Sequence, residues 1–238
     1  MKKTLKTRQQ LKSESKALLK GHWKSAILVS LLAILIFIVY SRLYSTEYAD
    51  ITNLYSTENN NQSSAISPII SATVVVLYLI FQILLVGVSY TFLTWVSSQK
   101  TPEHAFTQSF QVFSNELFFP SIGIAILKTI YSTLWTLLLI VPGIIKYYSY
   151  SQVFMINKDL TDNPNHPDIS INKKITLSRE LMNGHKFDLF VIELSLVGWY
   201  LLSIVTLGIG YIWYMPYQQA IKANFYRDLA GDKFLTLK

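Results

Sequence analysis

Two almost uncharged runs of about 40 residues, 118–157 and 187–225, constrain this chain more than any other feature. A helix rises 1.5 Å per residue, so about 20 apolar residues cross the ~30 Å hydrocarbon core of a bilayer. Each run is therefore twice the length of one crossing. The first holds Val141-Pro142-Gly143 near its middle, and the second holds Leu207-Gly208-Ile209-Gly210. Pro-Gly and closely spaced glycines are turn signals. Each run reads as a helical hairpin, 118–140 with 143–157 and 187–207 with 209–225, its turn on the far side. One long helix kinked at Pro142 is the alternative for the first run.

Two further apolar segments precede these, 23–42 and 68–96. The second opens on Pro68, which suits a first helical turn. Hydrophobic residues make up 51% of the 238 and charged residues only 15%, against about 25% in soluble domains. The fold expected is all-α: a single membrane domain, 1–238, with six transmembrane helices arranged as three hairpins. The absence of cysteine excludes disulfides, thiolate catalysis and Cys-type zinc sites. A signal peptide is a poor reading of the N-terminus. The basic region is too long, no small-residue cleavage site follows the apolar run, and several more spans come later.

Charge placement orients the bundle. Lys2, Lys3, Lys6, Arg8, Lys12, Lys16, Lys20 and Lys24 precede the first span, against only Glu14. Segment 43–67 holds Glu47, Asp50 and Glu58 but no Lys or Arg, and its tip, Asn59-Asn60-Asn61-Gln62-Ser63-Ser64, is polar. The tail carries Lys222, Arg227, Lys233 and Lys238. By the positive-inside rule both termini face the cytoplasm, and six crossings satisfy that parity. The partners expected are the bilayer itself, anionic lipid at the basic N-terminus and other membrane proteins. Orientation explains the basic arm without nucleic acid.

Segments between the spans look amphipathic. Phe106, Phe110 and Phe113 share one helical stripe within 97–117, as do Ile171, Ile175 and Met182 in the polar stretch 158–186, where Ser178 interrupts the stripe. Ser15-Lys16-Ala17-Leu18-Leu19-Lys20-Gly21-His22 resembles Ser178-Arg179-Glu180-Leu181-Met182-Asn183-Gly184-His185, and Trp135–Val141 resembles Trp199–Val205. A surface helix followed by a hairpin is thus repeated, with approximate units 5–96, 104–160 and 168–230. Gly21 and Gly184 would end the surface helices in the left-handed conformation, just before His22 and His185.

These strings also resemble the DUF975 family of bacterial integral membrane proteins. The resemblance rests on Lys-Ala-Leu-Leu-Lys-Gly-His-Trp at 16–23, Val-Pro-Gly-Ile with Tyr147-Tyr148-Ser149-Tyr150, Ser-Arg-Glu-Leu-Met-Asn-Gly-His-Lys at 178–186, and Gly198-Trp199 through Ala223-Asn224-Phe225-Tyr226. His22 stands where the family usually has Asn. The family is similar to the membrane domain attached to some glycerophosphodiester phosphodiesterases, which implies a membrane module and not the phosphodiesterase chemistry. The resemblance implies a multi-pass protein of a bacterial plasma membrane and carries no catalytic residue.

Ionisable residues at membrane depth are functional candidates. Lys128 reads as lying near the midplane and Glu193 beside it, so an ion pair between them is expected, serving either a polar path or structure alone. Lys146 is expected at the outer interface. The tyrosines and tryptophans beyond the two turns read as an interfacial belt. His22 and His185 lack the further ligands a metal site needs, and His104 and His166 stand alone. No nucleotide, hydrolase or metalloprotease motif is present. The expected function is a non-enzymatic membrane module, without cofactor or metal, that scaffolds or regulates envelope proteins or lipids. A small transporter with a polar path near Lys128 and Glu193 is the alternative.

Overall fold

The structure is a computed structural model that describes residues 5–56, 68–165 and 169–237. The expected polar loop tip at 59–64, and His166, lie outside these described residues. All regular structure among them is helical: α1 (Arg8–Leu19), α2 (Trp23–Ser56), α3 (Pro68–Ser98), α4 (Ala105–Gln108), a 3-10 turn (Ser109–Phe113), α5 (Asn115–Leu138), α6 (Ile140–Ser149), α7 (Val153–Asp162), α8 (Ile171–Leu181), α9 (Lys186–Leu194), α10 (Val197–Val205) and α11 (Tyr211–Ala230).

Among the described residues, four stretches are long and apolar enough to cross a membrane: Trp23–Thr46, Ser71–Ser98, Asn115–Leu138 and Lys186–Val205. Their outer faces are apolar, as a lipid solvent requires. Leu35, Val75, Ile126, Leu134, Leu201 and Ile204 are all exposed. α11 is different, being buried along most of its length. It packs between α2 and α3 and rests on α1. Phe37 of α2 stacks on Tyr211 of α11 at 4.6 Å between ring centroids.

A second layer closes one end of the bundle. It contains α1, α4, the 3-10 turn, α7, α8 and the feet of α3 and α11, and both ends of the chain meet there. We call this end the terminal face. α1 begins with a capping box: the Thr7 hydroxyl accepts from the Gln10 backbone N–H, and the Gln10 side chain accepts from the Thr7 N–H. Its buried stripe, Leu11, Ser15 and Leu19, repeats every fourth residue and faces α11. Trp95, Phe92, Met182, Phe225, Tyr226 and Phe234 fill the layer's core.

Several expected boundaries shift, each for a local reason. α2 continues through Arg42 to Ser56, because no Gly or Pro interrupts residues 43–56. Segment 97–117 is not one amphipathic helix. It is a four-residue helix and a 3-10 turn, pressed so close to α3 that a Cβ on Gly87 would lie 2.0 Å from the Ser109 carbonyl oxygen. The break expected at Pro142-Gly143 falls at Leu139, which is extended (φ −159°, ψ 139°). Pro142 then lies in the first turn of α6, where a helix does not need its N–H. The expected helix 143–157 is two helices: α6 ends at Ser149, and α7, largely buried, runs on to Asp162. The expected helix 187–207 breaks at Ser195-Leu196 into α9 and α10, and the last helix extends past 225 to Ala230.

Candidate functional site

The chemistry concentrates in the terminal layer, in two buried polar chains. Asp159 on α7 is 1% exposed. It accepts from both terminal nitrogens of Arg227 on α11, at 2.8 and 3.1 Å, and from the Tyr226 hydroxyl at 2.7 Å. Burial pushes the Asp159 carboxyl above the usual range, and the guanidinium and the phenol partly restore it. Arg227 also donates to the Gly231 carbonyl, which fastens the end of α11.

The second chain runs from α8 to α5. Lys174 donates to Asn157 at 2.8 Å, Asn157 donates to the Tyr90 hydroxyl at 3.1 Å, and Tyr90 shares a 2.8 Å bond with Ser121. Four helices are thereby tied together. Beside these chains, Asn224 donates to Ser15, and Asn163 donates to the carbonyls of Phe234 and Leu237. Lys158 and Asp162 pair along α7.

Glu193 does not pair with Lys128. It meets Lys222 of α11 at 2.9 Å and accepts from the Tyr148 hydroxyl of α6 at 2.8 Å. Lys222 was counted among the tail charges, yet it projects from a buried helix one turn below Gln219, which bonds Ser89 of α3. Lys128 is half-buried. Its ammonium lies 5.7 Å from the Tyr147 ring centre and 5.4 Å from that of Phe154. Among the described residues no carboxylate lies within ion-pair distance of it.

The repeated glycines share geometry. Gly21 has φ +81° and Gly184 φ +83°. In each case the next histidine N–H closes back on the residue three before it, His22 on Leu19 and His185 on Met182. Gly143 and Gly210 play matching roles in the two later hairpins. A Cβ at Gly143 would lie 2.8 Å from Thr136 Cα, and one at Gly210 2.9 Å from Ser203 Cα, so both let a returning helix touch the outgoing one. Gly208 turns the third hairpin at φ +93°. The two histidines stay apart: His22 meets the edge of Trp95 at 6.5 Å, and His185 lies 3.2 Å from Asp188. Among the described residues no group of His, Asp and Glu is placed to hold a metal ion.

A cavity of about 810 Å³ opens between the feet of α1, α3 and α11, with Lys20, His22, Trp95, Asn224 and Arg227 in its wall. Its lining includes both His22 and Arg227.

Sequence reasoning missed Asp159, Arg227 and Lys222, which read as loop or tail charges, and Asn157, which read as the last residue of the helix 143–157. One signal was available. Asn157 and Asp159 directly follow the apolar run Phe154-Met155-Ile156, so a helix continuing that run carries them into the interior.

The family described as "Protein of unknown function (DUF975)" matches residues 1–165 and, in a second overlapping match, residues 137–233. No curated protein and no solved structure matches the chain.

Proposed function

The chain belongs to the DUF975 family, whose description assigns no function, and from its geometry we propose a non-enzymatic membrane module that scaffolds or regulates envelope proteins or lipids. The observation that carries this reading is the terminal layer. Buried polar groups are costly unless satisfied, and satisfied networks make structure rigid and specific. Here the Asp159–Arg227–Tyr226 and Lys174–Asn157–Tyr90–Ser121 chains lock surface helices to apolar ones. The result is a firm platform at the membrane surface. Lys6 and the basic residues of α1 decorate it, which supports a cytoplasmic orientation of both termini in a bacterial plasma membrane. Hairpins also return the chain to the side it left, so the parity holds for each of them.

Crosslinking in native membranes, with bound proteins and lipids both identified, tests the module. The expected result is a defined set of partners that is lost when Arg8 and Lys12 become Glu and is retained in Glu193→Gln. A second reading, a small transporter, is favoured by one observation, the half-buried Glu193–Lys222 pair. It predicts solute flux in vesicles reconstituted with the purified protein, abolished by Glu193→Gln. Such flux, without defined partners, would replace the module reading.

A further inference from the structure

The depth of the α5–α6 hairpin can be measured from its foot. On α8 the Ser178 hydroxyl donates to the Ser149 carbonyl at 2.8 Å and accepts from the Gln152 N–H at 3.3 Å. α8 exposes Lys173, Arg179 and Glu180, so that face lies at the water boundary. Above that anchor, α6 has 10 residues. They climb about 15 Å, half of a ~30 Å core. α5 agrees. Ile171 of α8 fills the space beside Gly123, and the Tyr131 hydroxyl donates to Asn172 of α8 at 3.0 Å. Both contacts come from the first two residues of α8, so its start packs against α5 between Gly123 and Tyr131. Residues 132–138, about 10 Å of helix, lie beyond that contact.

The tip fits that depth. Leu137, Leu138, Leu139, Ile140 and Val141 are 66–78% exposed, with no polar side chain among them. In water such a tip would be a bare apolar patch, whereas acyl chains solvate its side chains. Part of its backbone is satisfied within the hairpin: the Leu139 N–H bonds Trp135, the Gly143 N–H bonds Leu139, and Pro142 brings no donor.

The charges agree as well. Lys146 lies about 10 Å below Leu139 along α6. A tip at the far surface would strand this cation near the centre of the bilayer, where charge is expensive. A tip at half depth brings it toward the headgroups. The third hairpin makes the contrast. Its rising limb, Lys186–Val205, has 20 residues. A Cβ on its tip glycine, Gly208, would lie 4.0 Å from Ile38, two residues before Tyr40, which clusters with Tyr44 and Tyr78.

We propose that α5–α6 is a re-entrant hairpin: a wedge held in the leaflet on the terminal side, its tip among acyl chains, and its foot, with Lys128, Lys146, Arg179 and Lys186, against anionic headgroups. The chain then crosses the membrane four times, through α2, α3, α9–α10 and α11. The wedge stands whether or not the platform above it recruits partners. Lys128, its ammonium held over the Tyr147 and Phe154 rings, then lies toward the headgroup level and not at the midplane.

The chain has no native cysteine, so single-cysteine variants report depth directly. Leu139→Cys carries a nitroxide label in vesicles of phosphatidylglycerol and phosphatidylethanolamine, and its accessibility to oxygen and to a water-soluble nickel complex is compared. The label is expected near the bilayer centre, with oxygen access high and nickel access near zero. Thr46→Cys and Lys20→Cys should report the two aqueous sides. Leu137→Cys and Val141→Cys repeat the measurement, so one misfolded variant does not decide it. A label at 139 that is open to the nickel complex, or that reacts in intact cells with a membrane-impermeant maleimide alongside Thr46→Cys, overturns the wedge.

Discussion

Asp159 shows how much one buried charge can control. Removing a single partner from a buried ion pair leaves the other uncompensated and typically costs about 3–5 kcal/mol. Asp159→Ala should therefore strand Arg227 and lower the unfolding temperature of the detergent-solubilised protein sharply. Asp159→Leu combined with Arg227→Met should recover most of that loss, since apolar replacement of a whole buried pair is often neutral. Equal damage in the single and double variants would show that the pair itself is essential. The pH dependence has a definite sign. The folded state raises the Asp159 carboxyl, so it binds this proton more readily than the unfolded chain does. Stability from this group is greatest in acid and declines as pH rises through the raised value. Asp159→Asn removes that slope, which melting curves taken between the ordinary carboxylate range and neutrality would reveal. Glu193 is a milder case, because its side chain is 22% exposed and that of Lys222 28%. A double-mutant cycle should give a Glu193–Lys222 coupling of about 1 kcal/mol, after allowing for solvent screening, and a smaller one for Glu193–Lys128. The reverse order would restore the pairing that the sequence suggested.

At the scale of elements, the existence of the helices was legible and their ends were not. Apolar runs and the Leu-x-Gly-His strings located α1, α2, α3, α8 and α9, because hydrophobic period and helix-stop chemistry are local. The break at Leu139 was not local. Pro142-Gly143 marks a hairpin, but Pro142 serves the first turn of α6 and Gly143 serves contact with Thr136. The turn itself falls three residues earlier, on a leucine without turn chemistry. The buried polar chains were illegible for a similar reason: which side chains satisfy Asp159 depends on α7 meeting α11, at a separation of 68 residues. The glycines allow a test of this distinction. Gly21 has φ +81° and open space around it, so Gly21→Ala should cost only left-handed backbone strain, about 1–2 kcal/mol. Gly143→Ala drives a Cβ into the backbone of Thr136 and should cost more, loosening the α5–α6 contact as well. Hydrogen exchange at residues 140–149 separates the two: it should quicken in Gly143→Ala and stay unchanged in Gly21→Ala.

For the whole molecule, composition announces a membrane protein, yet hydrophobic length alone does not set how often the chain crosses. Asn115–Leu138 is apolar enough to span, but the start of α8 packs against it, and its return helix has only 10 residues. Length sets what a helix is able to do, and its neighbours set what it does. The balance of surfaces follows. The long apolar helices are clad in exposed apolar side chains, while buried polar chains hold the terminal layer, so the two parts answer to different solvents. They should fail separately. Asp159→Ala should release the terminal layer while the spanning helices stay inserted. Limited proteolysis of membrane vesicles with the terminal face outward would then cut α7, α8 and the α1–α2 junction faster than in the parent protein. The α2–α3 hairpin should remain protected by lipid at an unchanged rate. Uniform loss of protection across both parts would mean that layer and bundle form one cooperative unit, and that the platform cannot move independently of the helices beneath it.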